Sequence, residues 1–458
     1  MFKKIQHIHF VGIGGSGMSG IAEVLVTLGY KVSGSDLKDS PVTRRLQKLG
    51  ARIFIGHQAS NIEGAHVVVT STAVDAQNPE VVAARAKNVS IIPRIEMLAE
   101  LARLKYTIAI AGTHGKTTTT SMVASVLQAG SLDPTIIVGG RLKYIDSGAR
   151  LGQGDYLVAE ADESDGSFLK LSPAIAVITN IDNDHLDYYG TFERICEAFV
   201  QYASRVPFYG CVIACLDDPH LRVQLPRMTR RVVTYGFDAA AQVRADRLRA
   251  GPDGSTFDLV AQGDVLGEIH LQVSGRHNVL NALAAVAVGR ELGIAFTKIA
   301  GSLASFEGVG RRMEIKGEKD GWTVIDDYGH HPTEVRATLA ALRERYPKRR
   351  LVVLFQPHRY TRTEALCDDF ANCFRQADRV FILDIYPAGE KPLPGVSSDL
   401  ILKAMRKTHP GASGLASPVD IAQVRSELKP GDVVITLGAG DVWKLGEQLL
   451  ELVPSSAS

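Results

Sequence analysis

Two glycine-rich turns and three clusters of polar side chains hold the residues of this chain that could do chemistry. The first turn is Gly12-Ile13-Gly14-Gly15-Ser16-Gly17, a GxGxxG between an apolar run and a helical pattern, with Asp36 ending the next apolar run. Glycines there let the backbone approach a pyrophosphate, and the start of the helix supplies oriented N–H donors. An acidic residue at that distance suits a ribose hydroxyl. The expectation is a diphosphate ligand, which a dinucleotide and a UDP-sugar offer equally well. The second turn is Ala111-Gly112-Thr113-His114-Gly115-Lys116-Thr117, followed by Thr118 and an apolar-faced helix. Lys116 would neutralise the β/γ-phosphates, and the Thr117 hydroxyl would ligate magnesium. Ile110 stands where the full GxxxxGK[ST] pattern has its first glycine. GKT directly after a strand still predicts ATP binding.

Magnesium needs further hard oxygen ligands. Two stretches offer them, Glu160-Ala161-Asp162-Glu163-Ser164-Asp165 and Asn180-Ile181-Asp182-Asn183-Asp184-His185, each after an apolar run. Near the C-terminal end lie Asp326-Asp327-Tyr328-Gly329-His330-His331-Pro332 and Gln356-Pro357-His358-Arg359-Tyr360-Thr361-Arg362. Arg359 and Arg362 suit a small carboxylate, because guanidinium forks match its geometry.

The elements that must position these groups alternate between short apolar runs and helical patterns, the signature of a parallel sheet wrapped by helices. Three blocks follow. In the first, 1–104, strands are expected at 8–11, 30–35 and 66–71 and a helix at 18–28. The second, 105–308, has strands at 106–111, 156–161 and 174–180. Period-two segments at 256–261 and 268–273 there predict attached antiparallel strands, and a helix follows at 278–292. In the third, 309–458, strands are expected at 323–327, 351–355, 379–385 and 433–437, with Pro332 opening a helix that runs to about 346. The fold class is α/β in three domains. A Rossmann-like domain comes first, then a P-loop ATPase-type mononucleotide-binding domain with extra antiparallel strands, then a second Rossmann-like domain.

Lys+Arg (51) and Asp+Glu (50) nearly cancel, which disfavours a polyanion binder, so no nucleic acid partner is expected. The five cysteines form no CxxC pair and read as free thiols of a reducing compartment. No run of about 20 apolar residues is present, and the first residues lack the apolar core of a leader, so a cytoplasmic protein without membrane contact is expected.

The whole chain resembles the Mur ligases of peptidoglycan synthesis. The resemblance is carried by residues 12–17, 111–120, 160–164, 180–185 and 306–312, by Gly275-Arg276-His277-Asn278-Val279-Leu280-Asn281-Ala282, and by 327–333 and 358–362. It implies an ATP- and Mg2+-dependent ligase, monomer or homodimer, of the branch that joins L-alanine to UDP-N-acetylmuramate. Gly14, Gly15, Ser16, Gly17, Asp36, His57, Ser71, Arg94 and Ser164 would hold the UDP-sugar. Gly112, Thr113, His114, Gly115, Lys116, Thr117 and Thr118 would hold the triphosphate, and His277, Asn278 and Asn281 would surround the adenine. Arg311 and Asp327 would also reach the nucleotide. Thr117, Glu160 and His185 would ligate magnesium, and Tyr328, His330, His358, Arg359 and Arg362 would form the L-alanine pocket. Lys116, Glu160, His185 and His330 would carry the catalysis, with His330 or His185 accepting the amine proton.

Several members of the family place a carbamylated lysine after the magnesium-binding histidine. No lysine occurs here from Leu171 to Thr297, so Glu160, His185, substrate and water would hold the second metal. The resemblance implies that the third domain closes over the first two, with 306–312 near the hinge. The rival readings are a recycling ligase that attaches a whole tripeptide to the same UDP-sugar, an NAD-dependent oxidoreductase, and a nucleotide-binding sensor.

Overall fold

The computed structural model describes residues 5–71, 73–142 and 147–451; the side chain of Ser16 lies outside the described set. Three sheets form three α/β domains. The first sheet is all parallel, in the order β3-β2-β1-β4-β5. Its strands are β1 (His7–Val11), β2 (Lys31–Asp36), β3 (Arg52–Ile55), β4 (Val67–Thr70) and β5 (Ser90–Pro93). The order reverses between β1 and β4, and such a switch point opens a crevice at the carboxyl ends of the strands. Ile8, Phe10, Val11, Val68 and Val69 are fully buried, as expected for strands covered on both faces. Expected β1, β2 and β4 are present within two residues. The sequence reading missed β3 and β5, whose four residues are half-buried at the sheet edges.

The second sheet has the order β15-β14-β13-β12-β11-β10-β6-β9-β7-β8. Its strands are β6 (Tyr106–Ala111), β7 (Thr135–Leu142), β8 (Ser147–Arg150), β9 (Tyr156–Glu160), β10 (Ile175–Ile178), β11 (Cys211–Cys215), β12 (Val232–Gly236), β13 (Val243–Gly251), β14 (Gly254–Ala261) and β15 (Asp264–Leu271). From β12 to β7 the pairings are parallel, and β8 runs antiparallel to β7. Only two residues separate β13 from β14, and only two separate β14 from β15. Connections so short can join only antiparallel neighbours. At the second turn Gln262 and Gly263 have φ 54° and 95°, the paired positive values that a type I′ hairpin requires.

The third sheet has the order β16-β17-β21-β18-β19-β20, with β16 (Glu314–Lys319), β17 (Trp322–Asp327), β18 (Leu351–Phe355), β19 (Arg379–Leu383), β20 (Ser413–Leu415) and β21 (Val433–Leu437). It is parallel apart from β16, which forms a hairpin with β17. Pro332 stands at the start of the helix Pro332–Arg345, as expected, and His331 and Glu334 close a capping box around it.

The described chain divides into two compact units, 1–247 with 257–269 and 280–306, and 248–256 with 270–279 and 307–458. Within the first unit the helix Ser16–Thr27 lies against β7 and β8, where a Cβ on Gly20 would stand 3.2 Å from that of Ala149. In the second unit Phe355 is fully buried between the rings of Phe370 and Phe374, 5.3 and 5.2 Å away. Truncating it leaves a cavity those rings cannot fill. Phe355→Ala is expected to destabilise the third sheet by about 3–5 kcal/mol, read as a lower urea midpoint for the unfolding of that part of the chain.

Candidate functional site

Every group singled out in the first domain lies just beyond a strand end. The glycine loop follows β1, Asp36 ends β2, and His57, Ser71 and Arg94 follow β3, β4 and β5. The loop is shaped by its own backbone. The N–H groups of Gly12 and Ile13 donate to the carbonyl of Ser35 at 2.8 and 2.9 Å, and Gly14 N–H donates to Asp36 Oδ2 at 2.9 Å. The Arg94 guanidinium lies over Gly17, so close that a Cβ there would be 2.1 Å from one of its nitrogens. A cation beside a helix N-terminus opposes the helix dipole. An anion held between the two would resolve the conflict.

Arg94 also pairs with Asp162 at 3.2 Å, joining the first crevice to the acidic stretch after β9. Ser164 belongs to the same turn, its N–H donating to Asp162 Oδ1 at 3.1 Å.

The second glycine loop follows β6 and leads into the helix Lys116–Ala129. Gly112 has φ 129°, and a Cβ on it would meet Thr179 Oγ1 at 2.0 Å. Any other residue there would be strained and would collide. The turn after β10 braces the loop. Asn180 accepts from His114 N–H at 2.8 Å, and Thr179 donates to the His114 carbonyl at 2.6 Å. The His114 ring pairs with Asp182 at 2.8 Å, and Asp182 N–H donates to the Thr113 hydroxyl at 2.9 Å. Asn281 supports the other side, accepting from Thr119 at 3.1 Å and standing so close that a Cβ on Gly115 would lie 2.6 Å from its oxygen. Thr117 and Thr118 occupy the first turn of the helix.

Lys116 Nζ donates to both oxygens of Glu163 at 2.8 Å and to the Gly112 carbonyl at 2.7 Å. Burial by itself would lower this ammonium. The carboxylates of Glu163, Asp162 and Glu160 more than offset it and hold Lys116 above its usual range. His185 stands at the rim of the same cluster, its Nε2 3.8 Å from Glu163 and 3.7 Å from Asp184. Its backbone is left-handed, with φ 58°. Strain of this kind costs about 1–2 kcal/mol in a non-glycine residue and persists where surrounding bonds over-determine it. A threonine hydroxyl, carboxylate oxygens and one imidazole make a donor set that fits a hard divalent cation.

His277 and Asn278, of the second unit, open the helix Arg276–Glu291; Asn281, further along it, belongs to the first unit. Asn278 donates to the Ser274 carbonyl at 2.8 Å. Burial, with Arg312 nearby, drives His277 down to about 4. Asp327 ends β17 and accepts from the N–H groups of Gly329 and Met313 at 2.7 and 2.8 Å. Burial pushes it up to about 6 against the pull of Arg312. Arg311 is bound to Asp326 at 2.9 Å and to the Gly438 carbonyl at 2.8 Å. It anchors the turn before β16 to the end of β21.

Tyr328, His330 and His358 form a row of rings, with centroids 5.5 and 5.4 Å apart. Tyr386 continues it, stacked on His358 at 5.7 Å. Arg362 is buried and reaches the His358 carbonyl at 3.3 Å. Arg359 has a left-handed backbone, φ 71°, and its guanidinium lies 4.0 Å from Glu390, which also accepts from the N–H groups of Tyr360 and Thr361.

The structure places the residues singled out after the strands at the carboxyl ends of their sheets. The sequence reading left out Glu163 as the partner of Lys116, Asn180 as the loop's brace, and Tyr386 and Glu390 beside the ring row. Glu163 could have been found, since it lies in the acidic stretch already singled out. Nothing in the sequence pairs Tyr386 with His358.

Comparison with known proteins covers all three domains. Residues 7–106 match the model of the Mur ligase family, catalytic domain; 110–289 match the Mur ligase middle domain; and 311–440 match the Mur ligase, glutamate ligase domain. A UDP-N-acetylmuramate--L-alanine ligase of Endomicrobium trichonymphae is 56% identical over 99% of this chain and 100% of its own. One from Desulfotalea psychrophila is also 56% identical, over 99% of both chains. Among solved structures, a UDP-N-acetylmuramate-alanine ligase of Thermotoga maritima superposes with a TM-score of 0.81 at 31% identity, over 97% of this chain and 98% of its own. A murein peptide ligase of Psychrobacter arcticus, 24% identical with a TM-score of 0.73 over 97% of this chain and 98% of its own, shares the fold.

The two shifted groups of the second unit act oppositely on stability. Asp327, raised by folding, contributes stability below about pH 4 that is lost as pH rises through about 6. His277, lowered by folding, contributes stability above about pH 6.5 that is lost as pH falls through about 4. In the native protein the two trends offset each other between pH 4 and 6.5. Asp327→Asn removes one of them. Urea titrations across this window should show stability rising more steeply with pH in that variant than in the native protein.

Proposed function

The chain belongs to the Mur ligase family, and on that premise we propose that it joins L-alanine to the lactyl carboxylate of UDP-N-acetylmuramate, converting ATP to ADP and phosphate. The relatives that bear this name are 53–56% identical along nearly the whole chain. The observation that carries the reading is the Arg94–Asp162 ion pair. It ties a diphosphate loop, under Arg94, to the acidic turn whose Glu163 holds the lysine of a triphosphate loop. A reaction between a nucleotide-sugar carboxylate and a γ-phosphate needs those two sites in one rigid piece.

A free carboxylate is a poor electrophile. In the proposed reaction a lactyl oxygen attacks the γ-phosphorus, the bond to the β–γ bridging oxygen breaks, and ADP leaves. Lys116, still charged because of its acidic neighbours, spreads the negative charge of the transferring group. Glu163 must release the ammonium for this, so phosphate replaces carboxylate as its partner. Thr117, Glu160 and His185 would hold magnesium, which when bound supplies further neutralising charge. The nitrogen of L-alanine then attacks the acyl carbon, and the tetrahedral intermediate expels phosphate. His330 and His185 are the candidate acceptors for the ammonium proton. Arg359 and Arg362 would fix the alanine carboxylate, and Tyr328, His330 and His358 would wall the methyl group. His277, Asn278 and Asn281 would line the adenine site, with Arg311 and Asp327 orienting the turn beside it. Three domains bounded at 1–104, 105–308 and 309–458, a cytoplasmic location and a monomer or homodimer complete the reading.

Phosphate release decides between this reading and the tripeptide-recycling one. With ATP and magnesium present, release should require both UDP-N-acetylmuramate and L-alanine. Dependence on the tripeptide in place of L-alanine would move the protein to the recycling branch, and release without the sugar would sink both. Lys116→Ala should lower the turnover at least 100-fold, in line with the loss of a preorganised charge at a phosphoryl site, roughly 10²–10³.

A further inference from the structure

Behind the first glycine loop lies a buried polar chain that the proposed mechanism does not use. Glu80 is fully buried in the helix Pro79–Ala86. Its Oε1 accepts from Asn61 Nδ2 at 2.5 Å, and its Oε2 accepts from the Ser35 hydroxyl at 2.6 Å. His9 Nε2 and His57 Nδ1 each lie 3.5 Å from the same Oε2. Burial alone would raise this carboxyl, but the nearby His9 ring and the hydrogen bonds from Ser35 and Asn61 outweigh it and hold the group below the usual range. Glu80 is therefore an acceptor only.

The count of protons then settles the next link. A serine hydroxyl has one hydrogen, and that of Ser35 goes to Glu80. Ser35 Oγ also lies 2.9 Å from His57 Nδ1. With its hydrogen committed, the oxygen can only accept, so the proton must sit on His57 Nδ1. In a neutral ring Nε2 is then a hydrogen-bond acceptor. Among the described residues no partner takes it up, and the ring is 18% exposed, just past the carboxyl end of β3 and beside the Asp36 turn, whose carbonyl accepts from Gly56 N–H.

We propose that Glu80 and Ser35 are positioning residues that lock His57 as the Nδ1–H tautomer, so that its Nε2 accepts a hydrogen bond from the imide N–H of a uracil base and disfavours cytosine, whose corresponding nitrogen has no hydrogen. The proposal rests on the reading of the first domain as a UDP-sugar site and deepens it by naming the source of base specificity. It also predicts what an isosteric change does. Asn61 donates to the Oε1 side of residue 80, so in Glu80→Gln the amide oxygen stays on that side and the amide NH2 faces Ser35. The relay then reverses. Ser35 accepts from Gln and donates to His57 Nδ1, which puts the proton on Nε2.

The test is carried out on the full-length protein in two measurements. Ring 15N shifts of His57, assigned by comparison with His57→Gln, report the tautomer with no ligand present. Titration calorimetry with UDP and with CDP reports base preference. We expect Nδ1–H in the native protein, Nε2–H in Glu80→Gln, and at least a tenfold fall in the UDP-over-CDP preference, the cost of one mismatched hydrogen bond. Ser35→Ala, which removes the relay without touching the carboxylate, should abolish the tautomer bias and lower the same preference. An Nε2–H ring in the native protein, or an unchanged ring in both variants, overturns the relay. A switched ring with an unchanged UDP/CDP ratio overturns its role in base recognition. If the native protein binds neither UDP nor UDP-N-acetylmuramate, the UDP-sugar reading fails and base recognition fails with it, while the ring shifts still decide the relay.

Discussion

A largely desolvated ammonium needs anions near it, and much of the first unit is arranged around that requirement at Lys116. Removed from water without a counter-charge, this lysine would lose its proton and with it any use as a phosphate ligand. The acidic turn after β9 supplies Glu163 at 2.8 Å, with Asp162 and Glu160 close behind. The parallel pairing of β6 with β9 fixes that proximity, because it brings both loops out at the same edge of the sheet. The pairing of β6 with β10 does the same for the turn that braces His114 and Thr113. The phosphate loop therefore owes its shape to two neighbouring strand ends as much as to its own glycines.

The same logic recurs at each sheet. In the first domain five successive strand ends bring the glycine loop, Asp36, His57, Ser71 and Arg94 to one edge. In the third, the ends of β17, β18 and β19 bring together Tyr328, His330, His358 and Tyr386. Peptide groups at a strand's carboxyl end and at the following helix start lie outside the ladders. Ligands and polar side chains collect there for want of other partners. The left-handed backbones of His185 and Arg359 lie in such turns, with Glu163 and Glu390 beside them, while that of Arg311, in the turn before β16, is held by its bond to Asp326; their conformation costs energy.

Much of this could be read from residue order, because the informative features are local. A glycine turn between an apolar run and a helix, or an acidic cluster after a buried strand, is a signal within about ten residues. The strands β1, β2, β4, β6, β9, β10, β17, β18, β19 and β21 were all legible for that reason, as were β14, most of β15 and both glycine loops. The short edge strands β3 and β5 were not, since four half-buried residues carry no clear period. Nor were β7, β8, β11, β12, β13, β16 and β20, which the sequence reading did not single out.

The sequence by itself therefore determined the α/β class, the two phosphate-type loops and the roster of residues beyond each strand, because the chemistry of a loop and the period of a strand are properties of neighbouring residues. Only the tertiary structure decided which roster members meet. Glu163 and not Glu160 holds Lys116; Asn281 supports Gly115 from 166 positions away in the chain; Tyr386 stacks on His358. It alone placed Glu80 behind Ser35 and His57, three residues on separate elements whose shared protons fix one another. Hydrogen bonds and charge pairing depend on distances of a few ångströms, and between elements far apart in the chain those distances exist only once the strands have found their order.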